Sequence, residues 1–238
     1  MSYLNRLCFI AITLLLPHVV QAFNVSPMVS TMTSTGSGAR ISYLVDNSDG
    51  NYDIAIEAIP YVLQLTEEGE EQLLAADDDI IVFPPTATIP KGQTQVFQAQ
   101  YIGEPDIDMS VTYRVFMEEL PVAKTEGAQA VIVRASFGTL LSVVPDGSKA
   151  ALEVTSIVSD DYQWQLTVRN NGNRFARLSE TSWSFNAGGQ SHTLKGAKLA
   201  SSLDENLVLP GTSRTVGFKA PEDMSFDENT SIVIDSAL

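Results

Sequence analysis

No stretch of this chain keeps a convincing 3.6-residue apolar period for more than a turn or two, which argues against a helical architecture. Gly, Ser, Thr and Pro instead punctuate short runs that alternate at period two. Ile41, Tyr43 and Val45 form one such run, and Val111, Tyr113, Val115 and Met117 another. Side chains at period two share one face of a strand, so each run predicts a strand with one buried face. The pattern predicts an all-β sandwich architecture. The longest run spans residues 129–145 and reads as a single β-strand ended by Pro145, which has no N–H to give a ladder. Val131, Val133, Ala135 and Phe137 fall on one of its faces, with Ile132, Arg134 and Ser136 on the other. At about twice the usual strand length, such a segment on a sheet edge would template pairing with another chain.

The first 22 residues lie outside that fold. Asn5 and Arg6 close a polar n-region, Leu7–Leu16 form a short apolar core, and Val20-Gln21-Ala22 is a small-residue cleavage site. A secretory leader cleaved after Ala22 is expected, leaving a mature chain that starts at Phe23. The apolar run is too short to span a bilayer and is broken by Pro17 and His18. Cleavage removes Cys8, the only cysteine, so the exported protein needs no disulfide. Acidic residues outnumber basic ones 29 to 14, giving a net charge of −15. That balance argues against nucleic acid and against anionic membrane surfaces.

Along the chain, residues 24–33 predict a first edge strand. Tyr52 to about Leu65 predicts a strand bent at Pro60, and Glu67–Glu71 a charged loop. Residues 77–85 predict a short strand after three aspartates. Ile89-Pro90-Lys91-Gly92 predicts a turn with Pro90 second, and Val96, Phe97 and Tyr101 mark the next strand. Asp146-Gly147-Ser148 reads as a hinge, dividing a first domain (23–145) from a second (146–238). In the second, strands are expected at Ala150–Ile157, Tyr162–Val168, Thr181–Asn186, His192–Lys195, Arg214–Phe218 and Ser231–Ile234.

Little in the chain points to catalysis. His192 is the only histidine beyond the leader and reads as a surface residue. A hydrolase triad or a His/Cys metal site therefore lacks its parts. Asp77-Asp78-Asp79 and the acidic run Glu104–Asp108 lack the spacing of a calcium loop and read as solvated loops. Trp164 and Trp183 are expected in the core. Neither an enzyme nor a cofactor is expected.

Three features occur in order. Val45-Asp46-Asn47 ends a strand. Val82-Phe83-Pro84-Pro85 is followed by Ile89-Pro90-Lys91-Gly92-Gln93. Tyr113-Arg114-Val115-Phe116 with Glu118-Glu119-Leu120-Pro121 precedes the long strand. Together they resemble the first domain of the periplasmic chaperones of chaperone–usher pilus assembly, the PapD-like family. The resemblance covers most of residues 23–145. It implies two immunoglobulin-like β-sandwich domains set at an angle, in a periplasmic protein without cofactor or metal. It implies that the long strand, about residues 129–144, is lent to an incomplete pilus subunit through Val131, Val133, Ala135 and Phe137. The subunit would then pass to an outer-membrane usher, and the free protein could cap its strand by self-dimerisation. The rival reading is a structural or adhesive β-sandwich subunit of a surface fibre, but residues 23–33 poorly match the alternating extension it needs.

The chain departs from the family at the cleft. Members carry two basic residues that bind the subunit's C-terminal carboxylate, and the corresponding positions fall near Thr31 and Leu140. Neither is basic. Arg40, Arg114 and Arg134 are the arginines available as a relocated anchor. The arginine of a usual interdomain ion pair is replaced by Val144.

Overall fold

The computed structural model describes residues 23–66, 69–121, 134–160, 163–187, 189–220, 226–227 and 229–235. The expected leader (1–22) and Val131 and Val133 lie outside them. No helix among the described residues is long and apolar enough to cross a membrane.

Ten strands build the first sandwich: β1 (Asn24–Ser26), β2 (Val29–Met32), β3 (Arg40–Asp46), β4 (Ile54–Leu65), β5 (Glu71–Ala75), β6 (Ile80–Phe83), β7 (Thr86–Ile89), β8 (Thr94–Tyr101), β9 (Val111–Leu120) and β10 (Ser136–Val143). One sheet runs β1-β3-β8-β6. The other runs β2-β10-β9-β4-β5, with β7 also paired to β4. The period-two faces meet between them. Tyr43, Val45, Phe97 and Ala99 from one sheet pack on Ile56, Tyr113, Val115, Met117, Leu141 and Val143 from the other, all fully buried. Each large aliphatic or aromatic side chain so buried contributes roughly 1.5–3 kcal/mol.

Several local expectations shift. The predicted first strand is two, because the chain leaves one sheet after Ser26 and joins the other at Val29. Pro60 does not end or divide β4. Ala58, two residues earlier, donates its N–H to the Pro85 carbonyl, away from β9. By parity the N–H that Pro60 lacks would point to the same side, where the β7 pairing (54–57) has ended and the β5 pairing (61–65) has not begun. No ladder bond is lost. The turn after β7 is one residue later than expected. Gln93 donates to the Pro90 carbonyl, so Pro90 is its first residue and Gly92 its third, with φ +77°. That left-handed conformation suits glycine. Part of the expected charged loop is strand, since Glu71 opens β5.

Asp79 is not simply a solvated loop residue: it is half-buried, and its Oδ2 accepts from the Tyr113 hydroxyl at 3.1 Å. Burial pushes the Tyr113 hydroxyl pKa well up, and the Asp79 charge adds to the shift. Burial also raises Tyr43 and Tyr101. The unfolded chain ionises these groups near the ordinary tyrosine value of 10, and the folded chain does not. Their contribution is therefore complete below about pH 10 and falls as pH rises beyond it. Phenolate absorbance is expected to develop in step with loss of the β circular-dichroism signal. Ionisation of every tyrosine near pH 10 with the fold intact would contradict this account.

Eight strands follow: β11 (Leu152–Asp160), β12 (Gln163–Asn170), β13 (Ala176–Arg177), β14 (Ser182–Ala187), β15 (Gln190–Lys195), β16 (Leu207–Val208), β17 (Ser213–Lys219) and β18 (Ser231–Asp235). They form sheets β11-β12-β17 and β15-β14-β18, and a β13-β16 ladder. The six expected strands are all present. The sequence reading missed β13 and β16, which are two residues each, and a single helical turn at Ala197–Ala200. Trp164 and Trp183 are fully buried, as expected. Phe185 and Phe218 stack at 4.9 Å between them, and the Trp183 indole N–H donates to Thr181 Oγ1 at 2.7 Å. His192 is half-buried opposite Phe185, not a surface residue, because it lies on the pleat of β15.

The two sandwiches meet along an apolar seam. Leu63, Leu140 and Val144 of the first pack with Phe175, Leu207 and Leu209 of the second. Ser110 donates its N–H to the Asn173 carbonyl at 2.9 Å, and its Oγ accepts from the Phe175 N–H at 2.8 Å. Val144, at the position where the resemblance implies an arginine, is thus a member of a hydrophobic contact. Desolvating an ion pair there would cost more than burying valine, so the apolar seam is no weaker for the exchange.

Candidate functional site

Among the described strands, β10 is paired unequally on its two sides. Along its whole length β9 pairs it, from Ser136 opposite Glu118 to Val143 opposite Val111. On the other side β2 pairs in parallel, but only from Leu140 opposite Val29 to Val143 opposite Met32. Upstream of Leu140 that side has no strand partner among the described residues.

Backbone parity says which groups face the open side. Glu119 donates to the Ala135 carbonyl, so odd-numbered residues of β10 face β9. Leu140 donates to the Met28 carbonyl and Val144 to that of Met32, both at 2.8 Å, so even-numbered residues face β2 or the space beyond it. The N–H and C=O of Ser136 and Gly138 therefore point into the open slot. A sheet edge with unpaired peptide groups accepts another strand without regard to its sequence.

Side chains at this edge divide by face. Thr139, Leu141 and Val143 enter the first core, and Thr139 Oγ1 donates to the Val115 carbonyl at 3.1 Å. Ala135 and Phe137 share their face and pack half-buried against the same core. The Phe137 ring meets that of Phe23 edge-on at 4.9 Å. On the outer face, Gly138 lies under Phe116, whose ring meets Tyr61 at 5.7 Å. A Cβ at 138 would fall 2.9 Å from the Phe116 ring, so only glycine lets the ring cover the strand here.

No family model matches this chain, and no curated protein does. Solved structures do. The chain is similar over 90% of its length to 98% of a chain in the CsuC–CsuE chaperone–tip adhesion subunit pre-assembly complex of archaic chaperone–usher Csu pili from Acinetobacter baumannii, at 16% identity and TM-score 0.58. The YadV chaperone shares 14% identity at TM-score 0.57, with 90% of this chain and 92% of that one covered. The class 5 fimbriae chaperone CfaA shares 16% identity at TM-score 0.56, with 91% and 100% covered. The chain has the two-domain, immunoglobulin-like fold of the pilus chaperones.

Against that fold, the sequence-predicted site residues scatter. Val131 and Val133 lie outside the described residues, whereas Ala135 and Phe137 sit at the upstream end of β10. Arg134 is exposed just before Ala135. Arg40 opens β3 on the other sheet, exposed, with Nε donating to Gln100 Oε1 at 3.1 Å. Arg114 alone is on the outer face of the sheet that contains β10. Its register partner is Leu140, the position where the resemblance implies a cation, and Tyr61 flanks it on β4. Its guanidinium is held by Glu71 of β5.

Two features escaped sequence reasoning. Arg214 is buried, with Nη2 2.7 Å from Glu205 and Nη1 donating to the Leu207 carbonyl at 2.9 Å. Alternation would have flagged it, since Val216 and Phe218 on the same face of β17 are core. The second is an apolar surface on the outer face of the first sheet. Leu44 and Val96 are direct cross-strand neighbours there, and Ile81 and Phe83 lie on the adjoining β6, Phe83 being 72% exposed. Among the described residues no group of three His, Cys, Asp or Glu could hold a metal.

Proposed function

We propose that this protein is a periplasmic chaperone that holds incomplete β-sandwich pilus subunits by offering them the open edge of β10, and passes them to an outer-membrane usher. The observation that carries this reading is the half-covered β10, open at Ser136 and Gly138 and closed by β2 from Leu140 onward. A subunit lacking one strand has a complementary defect, an unpaired edge beside an open core. Ladder bonds satisfy both edges at once, while alternating apolar side chains upstream, Val131 and Val133 with Ala135 and Phe137, fill the subunit's core. No cofactor is needed, because release is strand exchange.

Of the three arginines available as an anchor, Arg114 is the one on a strand of the sheet that contains β10. A strand in the slot is collinear with β2 and cannot run past Met28, whose carbonyl already accepts from Leu140. A strand running in the sense of β2 would end there, beside Leu140, with β10 between it and Arg114 of β9. A C-terminal carboxylate at that point would form a charge-assisted pair with Arg114 only if the guanidinium left Glu71 of β5 and swung back across β10. The family's cation has in this reading moved one strand over.

Delivery needs a surface that stays free while β10 is occupied. The exposed Leu44, Ile81, Phe83 and Val96 lie on the opposite sheet and offer apolar area for an usher.

The test is amide hydrogen exchange on the protein alone and on the complex purified from periplasm. The Ser136 and Gly138 amides are expected to exchange quickly when free and to become strongly protected on binding. A stable complex in which both still exchange quickly would place the partner elsewhere and end this reading.

A further inference from the structure

The outer face of the sheet that contains β10 is laid out in rows across the strands. Ser136 pairs with Glu118, and Glu118 with Glu57. In the next row Gly138 pairs with Phe116, and Phe116 with Ile59. In the third, Val29 of β2 pairs with Leu140. Directly paired residues share a face, so the middle row has a gap beside the open slot, where Gly138 carries no side chain. Glycine weakens a strand interior and marks a place where something else comes close. The Phe116 ring takes part of that gap, 2.9 Å from where a Cβ of residue 138 would stand. Even so, the ring is only half-buried, braced edge-on by Tyr61 on the side away from β10. Val29 stands on the same face where the slot ends, and it is 39% exposed.

A strand entering the slot adds one more position to the middle row, about 4.8 Å beyond Gly138. Its side chain there meets nothing from Gly138 itself, and the edge of the Phe116 ring and Val29 are within its reach. A small side chain would leave the space to water. An aromatic one would lie across the glycine and extend the Tyr61–Phe116 pair to a third ring. The row upstream offers no such contact, since it presents Ser136 and Glu118.

We infer that Gly138, Phe116 and Val29 form a notch that selects a bound strand with an aromatic side chain opposite Gly138. The inference rests on the reading of β10 as the client edge. It adds a side-chain preference that backbone pairing alone does not give.

The experiment uses the mature chain and synthetic peptides of alternating valine and threonine. Each carries one phenylalanine, moved along the peptide position by position, and each has a control with alanine at that position. Affinities are measured for the wild type, Phe116→Ala, Phe116→Leu and Ser136→Pro. In the wild type, phenylalanine at one position is expected to bind about two- to twelvefold more tightly than alanine, the range for one added aromatic pair. Phe116→Ala is expected to remove that preference while leaving the alanine peptides unaffected, and Phe116→Leu to keep part of it. Phenylalanine one residue to either side points to the core face, so its affinity is expected not to depend on Phe116.

If the wild type shows no such preference, or Phe116→Ala retains it, the inference falls with the edge reading intact. The same follows if Phe116→Ala weakens every peptide equally, because the ring then only supports β10. If no peptide binds, or Ser136→Pro binds them as the wild type does, the edge reading falls and takes the inference with it.

Discussion

Ser136→Pro is expected to abolish partner capture while leaving the first sandwich folded. The Ser136 N–H faces the open slot and not β9, so its loss removes no bond of the resident ladder. The side chain is exposed on the outer face, where a proline ring displaces nothing, and the extended conformation required of Ala135 is one it can adopt in a strand. An incoming strand, in contrast, loses a donor at the middle of the slot and meets a ring in the plane of its own backbone. An unmade buried hydrogen bond costs about 1–3 kcal/mol, which by itself weakens binding roughly five- to 150-fold. Co-purification from periplasm should recover a small β-rich partner with the wild type and with Ser136→Ala, and none with Ser136→Pro. Equal recovery with the proline variant, at an unchanged melting temperature, would show that β10 is not the binding edge. The proline is a cleaner probe than Phe137→Asp, because Phe137 also packs on Phe23 and its loss would damage the chaperone itself.

The second large effect is on stability. Trp164 is fully buried, with Phe218 at 5.6 Å and Phe185 at 6.4 Å from its ring. Both β11 and β17 flank its strand, so β12 is central and cannot move to fill a void. Trp164→Ala is expected to cost about 3–5 kcal/mol. Set against the roughly 5–15 kcal/mol by which a domain is stable, this brings the second sandwich close to its unfolding limit. Both tryptophans of the chain belong to that sandwich, so the remaining Trp183 reports its unfolding alone. Its fluorescence transition in denaturant should move to markedly lower concentration, while partner capture at low temperature persists, because β10 belongs to the other core. An unmoved transition would mean that the aromatic stack does not hold this sandwich together.

Much of the fold was legible because alternation is a local property. Tyr43 and Val45, or Tyr113, Val115 and Met117, share a face wherever their strands lie, and that face had to be buried. Turn residues cut the chain into strands for equally local reasons. The two-residue β13 and β16 were missed because a ladder that short has no period to detect. Pro60 was read as a bend because its sequence does not tell that the lost N–H falls in a gap between two partners of β4.

The sequence by itself therefore determined the composition of each strand and of each buried face, the absence of cysteine beyond Cys8, and the absence of cations at Thr31 and Leu140. Tertiary structure alone decided what those strands were beside. Among the described residues it ended the β2 pairing at Leu140 and gave Ser136 and Gly138 no strand partner on that side, set Arg114 across from Leu140, and held that arginine with Glu71, 43 positions away in the chain. The reason is physical. A side chain's face follows from its own backbone at a period of two, whereas an edge, a register and an ion pair are relations between segments distant in sequence, fixed only when the sheets close on their shared core.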